Sequence, residues 1–254
     1  MQALEGSMTT VDEGGGEASN GLLAGLVGYW GLDEAGGANN ALDKHTNALT
    51  LTQINSPGSA AGLVYASART FSGASQYLTR ASQALLQGGD NEMVWAAWVM
   101  LTAKTNLYPI IAKYDFYTNA GREYMLDYYN VADRFRLLVN TGAGNLVCTA
   151  NTFGSPSLNT WYWVMAWHDP TANKVYINVN NGTPDSIDFS AGLRAGNEAF
   201  AIGGLPDGTY YHTGRIGPAM IWKSAAGAGG MLTADKRTAL YNAGAGLAYS
   251  AFTN

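Results

Sequence analysis

Phe200-Ala-Ile-Gly-Gly204, Gly214-Arg-Ile-Gly-Pro-Ala-Met-Ile-Trp222, Leu232-Thr-Ala-Asp235 and Leu240-Tyr-Asn-Ala-Gly244 follow one another in the last fifty residues. Two apolar runs of strand length are separated by a glycine-bearing loop. Thr233 then offers an N-cap for a helix over Ala234 to Asn242, which Gly244 stops. The predicted order is strand, loop, strand, short helix, glycine stop.

The preceding two hundred residues extend the same pattern. Leu26-Val-Gly-Tyr-Trp30, Ala68 to Gly73 and Gln76 to Thr79 read as strands, and Met93-Val-Trp-Ala-Ala-Trp-Val99 is too apolar for an edge. Period-two alternation sends Tyr124, Leu126 and Tyr128 to one side and Met125, Asp127 and Tyr129 to the other. It likewise turns Phe135, Leu137 and Val139 inward, with Arg134 and Arg136 outward. Val175, Ile177 and Val179 face the core, while Tyr176, Asn178 and Asn180 face away. Asn181-Gly182 supplies a tight hairpin turn, and that reading is preferred to the glycosylation sequon Asn181-Gly-Thr183. Ser82 to Gln87, ended by Gly88-Gly89, is the second short helix. The expectation is an all-β, two-sheet antiparallel jelly-roll sandwich with one or two short helices and an extended N-terminal arm. Residues 1–21 form the arm, and residues 22–254 form one domain.

Composition narrows the partners. Of 254 residues only 13% are charged, and the net charge is -5. An average domain has about 25% charged residues. No Lys/Arg cluster offers a nucleic-acid surface. No 18-residue apolar run offers a membrane span. Residues 1–20 hold Glu5, Asp12, Glu13 and Glu17 without a Lys or Arg, so no signal peptide is visible. Gly6-Ser7-Met8 reads either as native sequence or as a cloning scar in place of a removed leader. Cys148, the sole cysteine, sits in a strand-like run and reads as a small buried hydrophobe.

From Leu26 to Leu247 the chain resembles laminin-G-like domains of the concanavalin A-like lectin/glucanase superfamily. The resemblance rests on the closing segment together with Leu26 to Glu34, Phe71-Ser-Gly73 with Tyr77-Leu78, and Trp95-Ala-Ala-Trp98-Val99. Ile110-Ile-Ala-Lys113, Thr160-Trp-Tyr-Trp-Val164 and the Val175 to Gly182 hairpin complete it. It implies a jelly roll that hosts either sugar-cleaving enzymes or binding modules.

Retaining glucanases of this kind carry Glu-x-Asp-x-Glu or Glu-x-Asp-x-x-Glu on one strand, with the two glutamates about 5–5.5 Å apart. Here Glu92 and Glu198 lack such companions, and Glu123 has only Asp127 at i+4, roughly 13 Å away along a strand. Glu123 and Asp127 therefore read as a solvated strand face, and no catalytic residue is assigned. His45, His168 and His212 lie in separate segments without a nucleophile motif. Relatives often hold a structural calcium with oxygen ligands. Asp33, Glu34, Asn39 and Asp43 are the candidate donors, although Gly217 stands where many relatives have Asp. No cofactor is required.

Sugars present apolar C–H faces and hydroxyl pairs, which suit aromatic rings beside Asp, Asn and Arg. The candidate glycan or partner face comprises Asp127, Tyr129, Arg134, Arg136, Tyr176, Asn178 and Asn180, lining a concave sheet. Trp161, Trp163 and Trp167 share a strand face and read as core. The expected function is a non-catalytic assembly protein, such as a virion decoration or adhesion component. The alternative is a secreted glycan-binding lectin or carbohydrate-binding module, with a glycoside hydrolase third. The expected location is a virion or an extracellular surface. The arm is expected to dock on another subunit or virion protein.

Overall fold

A computed structural model describes residues 19–228 and 231–254. The strands are β1 (Leu26–Trp30), β2 (Thr52–Ile54), β3 (Gly58–Ala61), β4 (Ser67–Ser72), β5 (Tyr77–Arg80), β6 (Asn91–Leu101), β7 (Tyr108–Lys113) and β8 (Tyr124–Tyr129). They continue as β9 (Arg134–Asn140), β10 (Asn145–Thr149), β11 (Trp161–Asp169), β12 (Lys174–Val179), β13 (Asp185–Asp188), β14 (Phe200–Ile202) and β15 (Thr213–Ala225). Two antiparallel sheets form the expected sandwich. The eight-stranded sheet runs β13-β12-β11-β6-β15-β4-β3 with β1 also on β15, and the seven-stranded sheet runs β10-β9-β8-β7-β14-β5-β2.

The space between the sheets is filled by the inward set of the alternating strands: Tyr124, Leu126, Tyr128, Phe135, Leu137, Val139, Val175, Ile177 and Val179. Aromatic contacts join the layers. Trp95 meets Tyr124 at 4.9 Å between centroids, and Trp30 stacks on Phe200 at 5.2 Å. Cys148 is buried in this core. The apolar β6 is central, paired with β11 on one side and β15 on the other. At Gly203, φ is +80°, and an added Cβ would lie 2.5 Å from the Phe71 ring. Only glycine combines that backbone conformation with that close approach.

A second apolar layer lies outside the eight-stranded sheet. Tyr29, Trp98, Trp163, Trp167 and Trp222 face outward there and are covered by Leu232, Leu240 and Phe252. The tryptophans of β11 are core, as read from sequence, but they belong to this outer layer. The covering segment contains helix α1 (Ala234–Tyr241), whose N-cap Thr233 accepts from the Lys236 N–H as expected. The helix ends one residue early, at Asn242 in the left-handed conformation. Leu23 N–H donates to Thr253 O, and Asn20 Nδ2 donates to Ala251 O, which ties the last residues to the first described ones. The predicted Ser82–Gln87 helix is a single 3-10 turn, Ala84–Leu86.

The β12–β13 turn is shifted by one residue from the expected position. Asn180 (φ +54°) and Asn181 (φ +53°) carry the positive angles, and Gly182 N–H closes the turn on Val179 O at 3.0 Å. Asparagine tolerates this region, and the Asn180 carboxamide is held there by the Trp163 N–H at 3.0 Å. Most of the predicted arm, residues 1–18, lies outside the described residues. Among the described residues, no helix is long and apolar enough to cross a membrane.

Candidate functional site

The outward residues of β8 and β9 build the centre of the site. In the antiparallel register Asp127 stands directly opposite Arg136, and Met125 opposite Leu138. Arg136 binds Asp127 through both ends of its fork, with Nε to Oδ1 at 2.8 Å and Nη2 to Oδ2 at 3.1 Å. The guanidinium lies 3.6 Å from the centroid of the Tyr129 ring. A bidentate pair with a stacked ring fixes the planar group in one orientation. The Asp127 side chain is fully buried, and that of Arg136 keeps 11% exposure. Burial pushes the Asp127 carboxyl up to about 6, against the pull of Arg136.

Around this pair the outward side of the seven-stranded sheet is an apolar layer that is itself buried. Met125, Leu138, Ala112, Tyr114, Leu107 and Leu205 form a small cluster, with Tyr129 and Tyr210 packed on it. Val147 stands beside Leu138 across β9–β10 and is 38% exposed. At one end Asn140 Nδ2 donates to Asn119 Oδ1 and Asn145 Oδ1, while Asn145 Nδ2 donates to the Tyr114 hydroxyl. Two loops rim the surface: Phe116 meets Tyr210 at 5.1 Å, and Asp207 Oδ2 accepts the Phe116 N–H. The surface thus has a rigid arginine stacked on a tyrosine, an exposed valine over a buried apolar layer, and a carboxamide cluster at one end.

The seven candidate residues do not form one face. Asp127, Tyr129 and Arg136 converge, and Arg134 borders them with Nη1 on Asp133 O at 2.9 Å. Tyr176 and Asn178 lie on the eight-stranded sheet, where Tyr176 stacks on Trp167 at 4.9 Å and Arg237 covers the Trp167 ring at 4.7 Å. Asn178 is buried, and Asn180 belongs to the turn. Sequence reading missed Tyr114, Tyr210, Asn140 and Asn145, which come together from two strands and two loops, with Tyr114 and Asn140 buried beneath the surface. The adjacency of Asn140 and Asn145 across a tight hairpin was the available signal.

Glu123 and Asp127 are not a solvated face. Glu123 is fully buried and paired with equally buried Lys113 at 2.7 Å, and its Oε2 accepts the Gly88 N–H. Both carboxylates face cations, because low-dielectric burial demands it. Neither is presented free to a substrate.

Most oxygens of the proposed calcium donors have partners, while Asp33 Oδ1 and Glu34 Oε2 are buried without a hydrogen bond. Asp43 accepts the N–H groups of Tyr29, His45 and Leu49. Asp33 pairs with Lys44 at 3.0 Å, and Glu34 accepts the Leu42 N–H with Arg69 at 3.7 Å. Asn39 donates to Gly36 O, and its own carbonyl accepts from Arg69. Among the described residues no group of three His, Cys, Asp or Glu gathers to hold a metal. With Lys44 and Arg69 already inside the cluster, this donor set does not fit a calcium ion.

Solved structures with a similar fold include domain 4 of AbnA, a GH43 extracellular arabinanase from Geobacillus stearothermophilus, with a TM-score of 0.57 and 15% identity. That match covers 84% of this chain and 96% of the domain. The botulinum neurotoxin serotype D binding domain matches with a TM-score of 0.60 and 13% identity, over 87% of this chain and 52% of the toxin chain. A Trypanosoma rangeli sialidase matches at 0.60 and 14%, over 89% of this chain and 34% of the enzyme. The chain thus spans about half of the toxin chain and a third of the sialidase. These likenesses show the fold alone. No curated protein matches the sequence. A family model described as the concanavalin A-like lectin/glucanases superfamily matches residues 72–229, more than half of the chain. The chain belongs to the concanavalin A-like lectin/glucanase superfamily.

Proposed function

We propose that this chain is a non-catalytic glycan-binding module whose ligand lies on the outer surface of the seven-stranded sheet. The observation that carries the reading is Arg136, clamped by buried Asp127 over the Tyr129 ring. Its remaining N–H groups suit sugar hydroxyls, and the exposed Val147 side chain beside buried Leu138 suits a C–H face. A prepaid orientation favours binding because little entropy is lost when the ligand arrives. The absence of catalysis is inferred from Glu123 and Asp127, each buried against a cation. Support also comes from relatives: the arabinanase domain was solved with arabinotriose, and cell entry of botulinum neurotoxin type C depends on two ganglioside molecules. An extracellular location belongs to the same reading. The assembly role rests on residues 1–21, and no observation on the sandwich favours it.

A glycan array probed with wild type and Arg136→Met tests the proposal. The expected result is selective binding by wild type, weakened about tenfold or more in the variant. Array silence, or equal binding by both proteins, overturns it. Reducing-sugar release from a bound glycan would overturn the non-catalytic part.

A further inference from the structure

A pocket of about 280 Å³ opens at one end of the sandwich, away from the proposed glycan surface. It is lined by Val27 of β1, Ala84 and Leu85 of the 3-10 turn, Asn91 of β6, and Lys223, Ser224 and Ala225 of β15. Pockets for small molecules usually run about 300–1,000 Å³, so this one suits a metabolite-sized molecule and not an oligosaccharide. One wall is apolar: Val27 is buried, and Leu85 is 45% exposed at the mouth. The other wall carries a cation. Lys223 Nζ donates to Gln87 O at 2.6 Å and Ala84 O at 3.1 Å, which leaves one of its three N–H groups. Asn91 Nδ2 is used on Gly88 O, so its Oδ1 remains as an acceptor.

Lys223 differs from the other lysines of the sheets and their loops. Lys44, Lys104, Lys113 and Lys174 each have a carboxylate within 4.0 Å, and among the described residues Lys223 has none. Glu92, its near neighbour on β6, is taken by Ser224 Oγ and by the N–H groups of Gly227 and Met231. Glu123 is closed off by Lys113. Burial accordingly lowers the Lys223 ammonium below the usual lysine range, with Glu123 opposing and Lys113 adding to the shift. A half-buried cation without a counter-charge is costly, and an anion arriving in the pocket relieves that cost.

We infer that this pocket binds a small aliphatic carboxylate, with the carboxylate on Lys223 Nζ and the hydrocarbon against Val27 and Leu85. An ammonium–carboxylate contact and a few buried methylenes support binding in the millimolar range. The site is independent of the proposed glycan surface.

Hexanoate is the probe, with hexanol as the uncharged control, and binding is read from NMR shifts of the full chain. Saturable shifts at Leu85, Asn91 and Lys223 with hexanoate, and none with hexanol, are expected. The bound anion should also raise the pH at which the Lys223 side chain titrates, because an opposite charge favours the ammonium. Lys223→Met should weaken binding about tenfold. Because that change also frees two backbone carbonyls, Leu85→Ala gives a second reading: its side chain is 45% exposed at the mouth, and its loss should weaken hexanoate about threefold. Equal shifts with hexanol, hexanoate shifts elsewhere on the chain, or an unmoved Lys223 titration overturns the inference.

Discussion

Asp127 and Arg136 show how one charge pair shapes both the site and its stability. Removing one partner of a buried pair leaves the other uncompensated, so Arg136→Met, which strands the fully buried Asp127 carboxylate, should cost about 3 kcal/mol. Denaturant unfolding at pH 7 checks this, and a cost near zero would mean that Asp127 is solvated. The same carboxyl acts on pH dependence together with His212, which is fully buried and has its pKa lowered to about 4 by desolvation. Unfolding exposes an imidazole that takes a proton below about 6.5, while the folded ring stays neutral down to about 4. His212 therefore makes stability fall as pH drops through that window. Asp127 acts oppositely: its folded carboxyl takes a proton near 6, before the unfolded one at 3.8, so stability rises as pH falls between those values. The two slopes oppose each other. Asp127→Asn removes the opposing slope and leaves that of His212, so the acid loss between pH 6 and 4 should steepen by about one proton relative to wild type. Urea titrations at pH 6, 5 and 4 measure it, and an unchanged slope would contradict the opposition.

Strands were legible because alternation is a local property. β1 begins and ends where the apolar run Leu26 to Trp30 does, and the inward sets of β8, β9 and β12 match their patterns. Elements whose form depends on distant chain were less legible. The Asn180–Asn181 turn was placed one residue late, since the Trp163 N–H that holds Asn180 comes from another strand. The burial of Glu123 could not be read locally, because its partner Lys113 is on β7 and its cover is the 82–89 loop. Nothing in the tryptophan spacing of β11 said which side was the inter-sheet core. The layer that buries those rings is the C-terminal segment, where Leu240 is 1% exposed. Leu240→Ala should cost about 3 kcal/mol as a core truncation. A thermal melt within a degree or two of wild type would show that the helix is a loose cover.

At the scale of the molecule, the two outer faces have different fates. The eight-stranded sheet is capped by its own chain through Leu232, Leu240 and Phe252, so Tyr176 and Asn178 belong to a packed layer. The seven-stranded sheet keeps Arg136, Tyr129 and Val147 at its outer surface, rimmed by the Phe116 and Tyr210 loops. The candidate site was half legible. Asp127, Tyr129 and Arg136 followed from strand alternation, whereas Tyr114, Tyr210, Asn140 and Asn145 reach it only through folding. We propose that glycan binds this surface without being cleaved. Backbone NMR shifts mapped during titration with arabinotriose and with the strongest glycan from the array test it most directly. Saturable shifts at Tyr129, Arg136, Leu138, Val147 and Tyr210 are expected, with the glycan recovered intact. Shifts confined to the Trp167 and Tyr176 side, or a cleaved glycan, would contradict it.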